Sequence, residues 1–146
     1  MLHAGEDSKR HILYRGERVF VALNLYPYSN GHLMVVPNRH LATLEDLDEA
    51  TLIELMTVTQ QCLALLRMAY KPEGFNVGFN VGTAAGAGIA DHLHQHIVPR
   101  WVGDTNFMST LAETRVIPEW IDQTYAELRL LWLEMFPEES TSGDET

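Results

Sequence analysis

The segment DHLHQHIVPRW, residues 91–101, carries His92, His94 and His96 at every second position, so three of the chain's seven histidines fall within five residues. Near neutral pH an imidazole moves protons, binds metals or attacks electrophiles. Alternation is the period of a β-strand, on which residues i, i+2 and i+4 share a face. The three rings therefore form one row, and Leu93, Gln95 and Ile97 point the other way, toward the helical side.

Three readings of the row compete. As ordinary half-buried histidines, three neighbouring rings would each have two nitrogens to satisfy. As metal ligands, imidazoles at i and i+2 can share a zinc ion, but i and i+4 stand about 13 Å apart along a strand. His40 or Asp91 would then have to be recruited. As a nucleophile, one imidazole would attack while its neighbours hold its tautomer and bind the reacting group. The preceding loop, VGTAAGAGIAD, favours the nucleophile, because Gly82, Gly86 and Gly88 let backbone N–H groups approach a phosphate or another oxyanion. It is no P-loop and has no G-x-G-x-x-G spacing. There is no G-x-S-x-G elbow and no close carboxylate pair on a strand.

The elements that must position the row are legible. HILYRGERVFVALNLYPYSNGHLMVVP reads as strands at 11–15, 18–25 and 32–37, with Asn30-Gly31 marking a hairpin. Residues 44–70 read as a helix with Asp46 and Glu49 as a capping box. Its apolar stripe is Leu52, Leu55, Met56, Thr59, Cys62, Leu63 and Leu66, which makes Cys62 a core thiol. Strands follow at 75–81 and 92–99, then irregular structure over TNFMSTLAETRV and a last helix from Pro118 to Phe136. Strands in runs, β-β-β-α-β-β-α, predict an α+β fold with a five-stranded antiparallel sheet and two main helices.

Length and composition predict one domain over residues 1–136 and a disordered acidic tail over 137–146. Twenty acidic against ten basic residues argue against nucleic-acid backbones and anionic membranes as partners. No apolar run reaches membrane-spanning length, and the first residues do not read as a signal peptide. A single cysteine excludes an internal disulfide framework and fits the cytoplasm.

HLHQHIV resembles the His-φ-His-φ-His-φ-φ signature of the histidine triad (HIT) family of nucleotide hydrolases and transferases. NLYPYSNGHLMVVP is similar to that family's second signature, an Asn eight residues before a His, here Asn24 and His32. FNVG and HIVPRWVGDTNF resemble the branch of diadenosine tetraphosphate phosphorylases and hydrolases. The resemblance covers roughly residues 10–130 and implies a HIT-like fold and a homodimer. It implies that His94 attacks the α-phosphorus to form a nucleotidyl-histidine, that His96 contacts the non-bridging oxygens, and that His92 and His32 steady the constellation. Asn24 matches a ribose contact, and Asn80 with the amides of Gly86, Ala87, Gly88 and Ile89 matches the polyphosphate side.

The departures are specific. Many relatives have Ser or Thr where this chain has Gly88 or Ile89, so leaving-group assistance falls to Thr83 or the loop amides. Gln95 stands where a small apolar residue is common, which predicts a polar contact on the helical face. His40 and His92 match two ligands of a structural zinc, but the cysteine ligands are missing, so no zinc and no required cofactor are expected. Trp101, Asp104 and Asn106 are read as bordering the cleft, with Trp101 equally well a cap on the sheet edge and Arg100 either facing polyphosphate or solvated. His3 and His11 read as surface residues.

The function expected is cleavage of dinucleoside polyphosphates, with a purine nucleotide as substrate. Purine nucleoside phosphoramidase activity and a nucleotide-binding module with little turnover are the alternatives.

Overall fold

In a computed structural model the described residues are 4–25, 30–87, 92–104 and 118–138. The tail beyond 138, the stretch 105–117, and the loop residues Gly88, Ile89 and Asp91 lie outside them.

The elements in chain order are α1 (Ala4–Arg10), β1 (Ile12–Arg15), β2 (Val19–Leu23), β3 (Leu33–Pro37), α2 (Glu49–Tyr70), β4 (Gly74–Phe79), β5 (Gln95–Arg100) and α3 (Pro118–Met135). The strands form one sheet in the order β1-β2-β3-β5-β4, every neighbour antiparallel. This is the expected α+β architecture, and α1 is a helix that the sequence reading did not anticipate. Its seven residues carry charges suited to the helix dipole, Glu6 and Asp7 first and Lys9 and Arg10 last, but no apolar stripe long enough to announce it.

Two apolar faces make the core. Leu13, Val21, Leu33, Val35 and Ile97 of the sheet meet Leu55, Val58, Cys62 and Leu66 of α2, and α3 adds Leu128 and Trp132. The stripe of α2 is rotated from the expected one: Val58 and Leu65 are buried and Met56 is exposed. The helix also starts later than a capping box at Asp46 would set it. Leu47 is buried, and an extended Leu47 separates a 3₁₀ turn at Leu44–Asp46 from α2, whose N-cap is Asp48.

The two sheet edges differ. Along β1, the Tyr125 hydroxyl donates to the Ile12 carbonyl (2.9 Å) and Arg129 to the Leu13 carbonyl (2.7 Å), so α3 satisfies backbone acceptors of that edge. On the opposite edge, β4 carries exposed Asn76, Val77 and Gly78. The hairpin glycine is required by its surroundings: Gly31 has φ +77°, and a Cβ there would sit 2.7 Å from the Tyr70 ring.

Candidate active site

The histidine row forms at the end of β5 rather than along it. The β5 ladder begins at Gln95, paired with Val35 and Phe79, so only His96 belongs to it, in register with Met34 and Gly78. His92 and His94 lie on chain just before the strand. Alternation survives because the intervening side chains are core: Leu93 and Gln95 are each 2% exposed, and the Leu93 amide donates to the Leu41 carbonyl at 2.6 Å. All three histidines are half-buried on the other face.

Hydrogen bonds assign the tautomers, since a carbonyl can only accept. His94 Nδ1 lies 3.0 Å from the His92 carbonyl and must carry its proton there, which leaves Nε2 with a lone pair. His92 Nε2–H donates to the Pro37 carbonyl at 2.7 Å. His32, buried just before β3, places Nε2 2.9 Å from His96 Nδ1, and these two nitrogens share one proton. The Asn24 amide lies 3.4 Å from the His32 ring nitrogens. An assignment these contacts allow has Asn24 donating to His32 Nδ1 and His32 Nε2–H to His96 Nδ1, which makes His96 Nε2–H a donor. Burial first, then the neighbouring His96 and His94, pushes the His32 pKa down to about 4. Burial and His94 lower that of His96 as well. The His32–His96 pair is thus biased toward its neutral form. The His94 and His96 rings meet edge to face with centroids 4.6 Å apart.

The HIT domain model matches residues 6–102 of this chain, a span that holds both signatures and the whole cluster. The chain belongs to the histidine triad family. It is 45% identical over 126 residues to the AP-4-A phosphorylase of Mycobacterium tuberculosis, a match covering 86% of this chain and 65% of the relative. It is 30% identical to the asymmetrical bis(5'-nucleosyl)-tetraphosphatase of Schizosaccharomyces pombe, over 64% of this chain and 50% of that protein. Among solved structures, a hypothetical histidine triad nucleotide-binding protein from Sulfolobus tokodaii superposes with a TM-score of 0.73 at 31% identity, covering 86% of this chain and 85% of that one. The chain therefore spans just under two thirds of the phosphorylase it resembles.

Within this HIT chain the Gly-rich loop is arranged differently from the expectation. Thr83–Ala85 forms a 3₁₀ turn, and the amides of Gly86 and Ala87 donate to the carbonyls of Thr83 and Gly82 at 3.0 and 3.2 Å. A short turn closes on its own donors, so in this arrangement those two N–H groups are engaged within the loop. Gly88 and Ile89 lie outside the described residues. Asn80 is exposed directly after β4.

Arg100 is not a lone solvated charge: its side chain, 40% exposed, is tied to neighbouring side chains. It grips Asp104 with two bonds of 2.7 and 2.8 Å and donates to Asn76 of β4 at 2.6 Å. The Trp101 amide donates to the same Asp104 carboxylate, so this clamp shapes the turn on which half-buried Trp101 sits. Asn106 falls outside the described residues.

His40 and His92 do stand together, with ring centroids 5.0 Å apart. His92 Nε2 is engaged with the Pro37 carbonyl, and among the described residues the two histidines belong to no group of three or more His, Cys, Asp or Glu placed to hold an ion. His11 is not a surface residue either: its side chain is 12% exposed and bonded to Asp122 of α3 at 2.7 Å. The polar contact expected of Gln95 exists, on Thr59 of α2 at 2.7 Å. Thr59 itself carried no functional signal in the sequence, where it read as one more position of the helix stripe.

Proposed function

We propose that this chain is a HIT-type nucleotidyl hydrolase or phosphorylase that cleaves dinucleoside polyphosphates through a covalent nucleotidyl-His94 intermediate. The observation that carries the reading is the 3.0 Å contact between His94 Nδ1 and the His92 carbonyl, which frees Nε2 as the nucleophile. Attack by Nε2 on the α-phosphorus forms the N–P bond. The P–O bond to the remaining nucleoside polyphosphate breaks, and its electron pair leaves on that oxygen. Water or phosphate then attacks the same phosphorus and displaces the imidazole. The His96 Nε2–H, held by His32 and Asn24, donates to a non-bridging oxygen as charge builds there. His92 lends its carbonyl to the nucleophile, and Asn80 takes the polyphosphate side together with the loop at 86–89, whose Gly86 and Ala87 amides must first leave the Thr83 and Gly82 carbonyls. The resemblance to a phosphorylase and to a tetraphosphatase supports this substrate class. No cofactor is required, since fixed N–H donors supply the stabilisation a metal would provide elsewhere. The buried single thiol of Cys62 fits a reducing cytoplasm. The exposed β4 edge fits a homodimer, which light scattering of the full chain would test.

The test is product analysis after incubation with diadenosine tetraphosphate, with and without excess phosphate. Phosphate-dependent ADP plus ATP makes the chain a phosphorylase, phosphate-independent AMP plus ATP makes it a hydrolase, and paired ADP would contradict attack at the α-phosphorus. His94→Ala should abolish turnover while nucleotide binding persists. Wild-type protein that cleaves only phosphoramidates, or that binds without turning anything over, would replace this reading with one of the alternatives.

A further inference from the structure

Gln95 is the one polar side chain on its face of the β5 segment, where Leu93, Ile97 and Pro99 are buried and apolar. An amide buried to 2% in such a layer needs its partners. Its Nε2 donates to Thr59 Oγ1 at 2.7 Å. Thr59 is itself 3% exposed, and its hydroxyl proton is spent on the Leu55 carbonyl at 2.7 Å, so the direction of the bond from Gln95 is determined. The tie crosses from sheet to helix at one particular place. Gln95 is the first β5 residue registered to both neighbouring strands, and His94 is the residue just before that ladder.

We propose that Gln95 is a positioning residue whose tie to Thr59 sets the height of β5 over α2 where the ladder ends, and so places His94 against His96 and the substrate phosphorus. The proposal rests on the reading of His94 as nucleophile. Apolar contacts resist separation of the layers but allow small slides, whereas a bond of defined length and direction does not. His96 is held from the other side by His32, so a shift at Gln95 moves the nucleophile relative to the donor.

Misplacement by about 1 Å can cost on the order of a hundredfold in rate. In the full chain acting on diadenosine tetraphosphate, Gln95→Leu and Thr59→Val should each lower kcat by about tenfold to a hundredfold and leave KM within about twofold. The double variant should be no slower than the slower single one, because both remove the same tie. Thr59→Ser keeps the hydroxyl and should restore kcat. Val58→Ala opens a cavity in the same layer and should lower thermal stability without lowering kcat.

The proposal is overturned if Thr59→Val turns over like wild type, if the losses multiply in the double variant, or if Val58→Ala loses as much kcat at matched stability. Imidazole ¹⁵N spectra separate this claim from the functional reading. Gln95→Leu and Thr59→Val should disturb the Nδ1–H tautomer of His94, and Thr59→Ser and Val58→Ala should not. If the wild type turns over no tetraphosphate, the functional reading fails and the spectra alone decide the positioning; unchanged spectra would end it.

Discussion

At the residue scale, protonation is decided by what each ring nitrogen faces. His94 faces a carbonyl and keeps its Nδ1 proton, while His32 faces another imidazole in a buried site and is held neutral. A histidine whose folded pKa lies near 4, below the ordinary 6.5, binds a proton more weakly when folded. As the pH falls below 6.5 the unfolded chain therefore takes up the proton first, and stability declines until the folded pKa is reached. That decline amounts to at most about 3 kcal/mol from His32. Thermal unfolding followed between about pH 7 and pH 4 should show Tm falling with pH, and His32→Asn should reduce the fall. An equal fall in the variant would remove His32 as its source. Activity should fail on the same acid side, because a doubly protonated His32–His96 pair has no acceptor between its rings.

At the element scale, the sheet is fastened to the helices by a few polar pins set in apolar layers. Glu54 of α2 reaches the β1–β2 turn, where its Oε2 accepts from the amides of Arg18 and Val19 at 2.6 and 2.7 Å. Glu54→Ala leaves both donors without that partner and should cost about 1–3 kcal/mol in urea unfolding. The turn lies on the β1–β2 side of the sheet, away from β5, so kcat should stay near wild type. A stability loss below a few tenths of a kcal/mol would show that water replaces the carboxylate at no cost. Element types and order were legible from periodicity, since runs such as VFVAL and LMVVP admit few alternatives. Boundaries were not, because they turn on single side chains: buried Leu47 delays α2, and the end of the β3 and β4 registers leaves His92 and His94 off the ladder.

At the scale of the whole molecule, a net charge of -10 opposes the approach of the anionic substrate proposed above. Salt screens the long-range repulsion more than the short contacts. Raising ionic strength from about 0.01 to 0.15 M should therefore raise kcat/KM for a dinucleoside tetraphosphate. A fall would mean that cationic groups near the cleft dominate the approach.

The sequence by itself determined the order of strands and helices after α1, the shared face of the three histidines, and the burial of Cys62. Each of these follows from local periodicity or from a spacing along one chain segment. Tertiary structure decided what depends on distant residues meeting: that His32 supports His96, that Pro37 holds His92, that Arg100 is closed by Asp104 and Asn76, and that Gln95 is tied to Thr59. A side chain's type fixes which bonds it can make, but its partner is set by which elements pack together. No pattern within the histidine segment could name a threonine on a helix 36 residues away.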